Sequence, residues 1–358
     1  MRLKLFIATI DILYAKLISD NISEFHADKI DVSTCSSPAG LQENLSKWRY
    51  DVALIDPELI EYANTSFINL PLILWSETDQ SDTLPDGFGK ISKYQRISSI
   101  VASILEIYAK VSKSRYSPDS KHAEITAIWS PAGGVGKTSV ALAYAMSKIP
   151  DGKEVFYLNL EDFTSVPGFF RENGKSISTI FEMFENRDGN VKMLIQGVVC
   201  RDQGISYLCG PENYEDMSIL SSENVNDLII NCAGLSDELV IDLPNACDIR
   251  TRKAFELADK VMLVTDKTTM SKTKLAQFIS QNNVYESIKE KVTLIANKGV
   301  KNNDHVIDMM VSLPFVQSED VYEVCRVLSE SLSKQDISGS TPVLSENGFV
   351  NRKAWLQA

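Results

Sequence analysis

The sequence predicts an α/β protein with mostly parallel sheets, on three observations. Short apolar runs alternate with segments of helical periodicity along the whole chain. The runs are mostly apolar rather than strictly alternating, as in strands buried on both faces. A glycine-rich loop stands between one such run and a helical segment, at Ser130–Ser139. The length of 358 residues and a hydrophobic fraction of 44% favour two cores over one. The natural joint is the polar stretch Lys113–His122, whose Pro118 discourages helix continuation. Boundaries follow at 1–110 for the first domain, 111–122 for a linker, 123–335 for the second domain and 336–358 for a tail.

In the first domain, strands are expected at Leu3–Ile7, Val52–Ile55 and Leu72–Trp75, with helices over Ile12–Asn21 and Ile97–Ala109. In the second, strands are expected at Ile125–Trp129, Val155–Leu160, Ile205–Leu208, Leu239–Ile241, Val261–Val264 and Val292–Ala296. Ligands of such sheets bind at strand carboxyl ends.

Composition excludes several classes of function. A net charge of −12 opposes binding to a phosphate polyanion, so nucleic acid is not an expected partner. The six cysteines never fall in a C-x-x-C spacing and the three histidines are far apart, which argues against structural zinc or an iron–sulfur cluster. No apolar run approaches the roughly 18 residues of a membrane span, and the start reaches Asp11 too soon for a signal-peptide core. A soluble, cytoplasmic protein is the expectation.

The chemistry concentrates in the glycine loop. Gly133, Gly134 and Gly136 let backbone N–H groups converge on phosphate oxygens, and the helix that follows adds the partial positive charge of its N-terminus. Lys137 neutralises β and γ phosphates, and Thr138 supplies a hydroxyl to magnesium. Pro131 stands where an ordinary Walker A loop begins with Gly. The segment Gly133-Gly134-Val135-Gly136-Lys137-Thr138-Ser139 resembles instead the deviant K-G-G-x-G-K-[ST] loop of the ParA/MinD superfamily, with Ala132 in place of the leading Lys. In that family the leading Lys reaches across a dimer to the partner's nucleotide.

Further segments resemble the same family in the right order. Leu239-Val240-Ile241-Asp242-Leu243-Pro244 is similar to its h-h-h-D-x-P segment, which makes Asp242 the carboxylate of the magnesium shell, with Thr138 as the other metal-side residue. Asn159 and Glu161 fall where the family shows D-x-D, and Glu161 would orient a water beside Lys137 as the second catalytic residue. Asn297 and the Pro314 loop resemble its adenine site.

The first domain resembles a response-regulator receiver, a flavodoxin-like fold. Asp56 ends a strand as the phosphoacceptor would, Ser76 follows the next strand, and Lys93 stands where the family has its Lys. Where the family carries an acidic pair after strand one, this chain has Ala8-Thr9, with Asp11 the nearest acid. Phosphoryl transfer to Asp needs magnesium, so a protein-docking module is expected here rather than a phosphorylated one.

A degenerate receiver ahead of a P-loop NTPase (ParA/MinD-like) domain resembles the TadZ/CpaE family of pilus assembly and polar localisation proteins. The resemblance includes Tyr207–Asp216, similar to that family's stretch after the third strand of its ATPase domain. It implies ATP and Mg2+ as cofactors, a homodimer with weak or no hydrolysis, and partners in a type IV/Flp (tight adherence) pilus secretion machine at a cell pole or the inner face of the membrane. Two alternatives stay open: an active ParA/MinD-type ATPase, and a bacterial tyrosine autokinase, although no Tyr follows Tyr322. The tail ends in Phe349-Val350-Asn351-Arg352-Lys353-Ala354-Trp355-Leu356, too short for stable membrane insertion and expected to dock on the protein itself.

Overall fold

The computed structural model describes residues 2–27, 29–76, 85, 87–111, 123–171, 174–186, 190–299 and 310–334. The expected linker from residue 112 and the tail from 336 lie outside them. The described chain divides into two compact units.

The first unit runs from Arg2 to Val111 and includes Asn190–Gly197. Its strands are β1 (Leu3–Ala8), β2 (Ile30–Cys35), β3 (Tyr50–Ile55), β4 (Ile68–Trp75) and β5 (Gly89–Ser92), all parallel, in the order β2-β1-β3-β4-β5. That is the order of doubly wound flavodoxin-like sheets. Strand β1 is covered on both faces beyond its exposed Lys4, which is why Leu5–Ala8 are apolar throughout. Leu5 and Ile7 pack with Ile18 and Ile104, while Phe6 and Ala8 pack with Leu41 and Leu45. The helices over Ile12–Phe25 and Ile97–Val111 therefore share one face, and the helix over Pro38–Lys47 takes the other. Between β3 and β4 the chain makes only two 3-10 turns, Pro57–Tyr62 and Thr65–Phe67.

A later stretch of chain completes this unit. The Asn190 N–H donates to the Ala109 carbonyl at 2.8 Å, Met193 packs on the Ile18 cluster, and the Lys29 ammonium reaches the Gln196 carbonyl. The first unit is thus discontinuous in sequence, which a single boundary near residue 111 does not provide for.

The second unit holds an eight-stranded sheet. Its strands are β6 (Glu124–Trp129), β7 (Val155–Asn159), β8 (Cys200–Asp202), β9 (Ile205–Tyr207), β10 (Glu238–Asp242), β11 (Lys260–Thr265), β12 (Val292–Ala296) and β13 (Met310–Ser312). They lie in the order β13-β12-β11-β6-β10-β7-β9-β8, all parallel except β8 against β9. The chain leaves β6 toward β7 on one side and later returns through β10 to β11 on the other, so the direction of winding reverses around β6. Ligands of open α/β sheets bind at such a reversal, beyond the strand carboxyl ends. The helix over Lys137–Lys148 follows β6, and its Val140 and Tyr144 are buried in one cluster with Cys325, Leu328 and Leu332 of the helix over Val321–Ser333. No helix among the described residues is long and apolar enough to cross a membrane.

The register of the first helix can be checked directly. Ile18 is fully buried, whereas Leu17 beside it is 61% exposed. Ile18→Ala is expected to cost about 2–5 kcal/mol in urea denaturation, and Leu17→Ala to stay within about 0.5 kcal/mol. Equal losses would contradict the packing.

Candidate functional site

The loop between β6 and its helix has the backbone that its glycines allow. Gly134 and Gly136 sit at φ +72° and +91°, in the left-handed region. A Cβ on Gly136 would also come within 2.4 Å of the Asn297 amide nitrogen, so a side chain there would have to displace that amide. Lys137 is the first helical residue, and its side chain turns inward to 7% exposure.

A buried ammonium needs partners. Lys137 donates to Asn245 Oδ1 at 2.5 Å and lies 3.3 Å from Glu161 Oε1. Asn245 follows β10 and Glu161 follows β7, so the ends of three adjacent strands meet at one cation. Asp242, the last residue of β10, is fully buried beside them. Its Oδ2 accepts from the Tyr157 hydroxyl at 2.9 Å and from the Asn159 amide at 3.2 Å, while its Oδ1 has no hydrogen-bond partner. Burial pushes the Asp242 carboxyl up to about 7, the charge of Glu161 adds to the rise, and Thr138, Tyr157 and Lys137 pull it back. Burial and the Asp242 charge also hold the Tyr157 hydroxyl protonated well above its usual range, so it remains a donor.

Other residues fix the loops around this cluster. Asn159 Oδ1 accepts from the Glu161 N–H at 3.0 Å, which sets the turn after β7. Arg250, 6% exposed, bridges Asp162 at 2.6 Å, the Leu160 carbonyl at 3.1 Å and Asp248 at 2.6 Å, tying the β7 loop to the β10 loop. From β12, the Asn297 amide donates to the Val135 carbonyl at 2.9 Å. Pro314 is exposed just past Leu313, whose N–H and C=O bond the Ala296 carbonyl and the Gly299 N–H.

The structure therefore gathers Lys137, Thr138, Glu161 and Asp242 into one cluster, with Asn297 hydrogen-bonded to the Val135 carbonyl of the loop. Sequence reasoning missed Asn245, Tyr157 and Arg250. Asn245 directly follows the Pro244 that marked the segment and could have been suspected; the other two show no local signal. Ala132 is 4% exposed, packed in the core with its N–H on Ser130 Oγ at 3.1 Å, so its methyl faces inward.

This donor set fits a magnesium nucleotide. Lys137 is held by an acid and an amide oxygen, both replaceable by phosphate oxygens, and the Asp242 Oδ1 is an unsatisfied buried acceptor of the kind a metal-bound water satisfies.

The first unit has a second strand-end carboxylate in the opposite condition. Asp56 is 1% exposed, and its oxygens accept from the Thr9 hydroxyl, from the Ile10 N–H at 3.0 Å and from the Lys93 ammonium at 2.9 and 3.1 Å. Asp11 caps the following helix by accepting from the Tyr14 N–H. Among the described residues no group of three or more His, Cys, Asp or Glu could hold a metal ion.

No protein-family model matches the chain, and no curated protein does. Among solved structures it is similar to a ParA family ATPase from Chlorobium tepidum, with 18% identity, a TM-score of 0.48, and 67% of this chain and 99% of that one covered. It is also similar to the MinC:MinD cell division complex of Aquifex aeolicus, at 16% identity and a TM-score of 0.47 over 62% of this chain and 98% of that one. For the septum site-determining protein MinD from Pyrococcus horikoshii, complexed with Mg-ADP, the values are 16% identity and a TM-score of 0.44, over 59% and 96%.

The raised Asp242 value makes stability depend on pH with a definite sign. The folded state holds this proton more tightly than the unfolded chain, so the group favours folding fully below about pH 4, the ordinary carboxylate range, and that contribution is lost as pH rises through about 7. Asp242→Asn is expected to melt above the ligand-free wild type at pH 8, by about 2–4 °C for each kcal/mol of relieved cost. Below pH 5 the difference should shrink; a constant gap across this range in thermal melts would contradict the assignment.

Proposed function

We propose that the second unit binds ATP with magnesium and that the nucleotide-bound chain pairs with a second copy to serve as a scaffold of the TadZ/CpaE type, with slow or no hydrolysis. The observation that carries the nucleotide reading is the buried Lys137 ammonium at a helix N-terminus, behind two left-handed glycines and within 3.3 Å of Glu161. Gly133 through Ser139 would cradle the phosphates, Thr138 and Asp242 would hold the magnesium and its waters, and Asn297 with the Pro314 loop would face the base. The bound metal would supply charge neutralisation between phosphate oxygens. Of the chain's own residues, Lys137 would leave Asn245 and Glu161 for the phosphates, which frees Glu161 to orient a water and releases the Asn245 loop. The pilus-machine partners and the polar or membrane-face location rest on the family resemblance of the sequence.

A second reading, an active ATPase of the ParA/MinD type, draws support from that same Glu161. Against it stands Ala132, which supplies no ammonium; loss of one charge-stabilising donor costs about 10² to 10³ in rate. The first unit is proposed as a protein-docking module: Asp56 has its acceptor capacity filled by Thr9, Ile10 and Lys93, and Ala8-Thr9 stand where a receiver carries its acidic pair.

Calorimetry with Mg-ATP tests the loop. Lys137→Ala should weaken binding by at least about tenfold, since a phosphate would face only backbone donors, and equal affinities would sink the assignment. Brisk turnover by the wild type would favour the ATPase over the scaffold. Incubated with acetyl phosphate and magnesium, the chain should gain no phosphoryl mass; a gain lost in Asp56→Asn would refute the docking-module reading.

A further inference from the structure

Two consecutive side chains from the end of β12 reach two consecutive carbonyls of the phosphate loop. The Asn297 amide donates to the Val135 carbonyl, and the Lys298 ammonium donates to the Gly134 carbonyl. Strand β12 is not a neighbour of β6, since β11 lies between them. To cross that gap the chain takes an uncommon path, with Lys298 at φ +62° and Gly299 at φ +70°. A Lys in the left-handed region is sterically disfavoured and persists only where its surroundings enforce it. Here the Asn297 N–H on the Thr265 carbonyl and the Gly299 N–H on the Leu313 carbonyl fix the turn from both sides. The ammonium is steered as well. It lies 3.8 Å from Asp266 Oδ2, and Asp266, 6% exposed, is itself held by the Thr268 N–H and hydroxyl on its other oxygen.

A planar trans peptide points its C=O and its N–H in opposite directions. Donors that hold the Gly134 and Val135 carbonyls on one side of the loop therefore turn the N–H groups of Val135 and Gly136 to the other. These are amides that a phosphate cradle needs.

We propose that Lys298 is a positioning residue of the phosphate loop, its ammonium fixing the Gly134 carbonyl so that the Val135 and Gly136 amides face the phosphates of a bound nucleotide. The clamp is a property of the ligand-free chain, while its effect on phosphate binding rests on the nucleotide reading above. Lys298 also brings to the loop a cation that Ala132 cannot. A methionine keeps much of the stem without the charge, and an arginine keeps both.

Two measurements on the full chain separate the parts. In hydrogen exchange without nucleotide, Lys298→Met should exchange faster than wild type over residues 133–137, and Lys298→Arg should stay near wild type. In calorimetry, Lys298→Met should lose about tenfold in affinity for Mg-AMPPNP, the equivalent of one charge-assisted hydrogen bond at a part-exposed site, with adenosine affinity changing less than about twofold. Arginine should restore most of the loss. Exchange unchanged in Lys298→Met overturns the clamp. Equal losses for AMPPNP and adenosine overturn the phosphate-directed role in favour of general support. A wild type that exchanges as expected but binds no AMPPNP overturns the nucleotide reading and the phosphate half of this proposal, and leaves the clamp decided by the exchange data.

Discussion

A positive charge buried at the start of a helix constrains most of the second unit. Lys137 is 7% exposed, and an ammonium that deep stays folded only with oxygen partners in place. Those partners come from the ends of β10, beside β6, and β7, next beyond it, so the sheet order β6-β10-β7 is what brings them to the loop. The same demand explains the supporting contacts. Arg250 locks the two donor loops together, Asn159 shapes the turn that presents Glu161, and Tyr157 shares the buried Asp242. A ligand rich in oxygens could replace the internal partners without leaving the ammonium bare, which is what suits the cluster to phosphate.

The two units treat a strand-end carboxylate in contrasting ways. Asp56 has a hydroxyl, an amide and an ammonium around it, and its electrostatics close without a ligand. Asp242 keeps one oxygen unpartnered and shares its site with a second acid, so its ionised form is held at a cost. Internal satisfaction of a buried polar site makes it structural, and incomplete satisfaction leaves room for a ligand to do the remaining work.

How much of this was legible in the sequence depended on locality. The central strands were readable because both of their faces are covered, which leaves runs such as Val52–Ile55 and Val261–Val264 apolar throughout. Strands β2, β5, β8 and β13 were not, because they lie at or near sheet edges or are very short; Ile30-Asp31-Val32-Ser33-Thr34-Cys35 and Cys200-Arg201-Asp202 alternate or lack an apolar face. The glycine-rich loop was readable because its parts are contiguous. Tyr157, Arg250 and Lys298 were not, because what brings them to the site is strand order and, for Lys298, a left-handed backbone that no spacing rule predicts. The inward-facing methyl of Ala132 is also a packing fact: the sequence places a small apolar residue there, and the structure adds that the position is enclosed.

The central claim is that Lys137 exchanges its internal partners for phosphate. A crystal structure of the full chain grown with Mg-AMPPNP measures this directly. The account predicts the triphosphate in the loop of residues 133–139, with the Lys137 ammonium on phosphate oxygens and withdrawn from Asn245 Oδ1 and Glu161. A chain crystallised at saturating nucleotide with Lys137 still on Asn245 and Glu161, and the nucleotide absent or bound elsewhere, would contradict it.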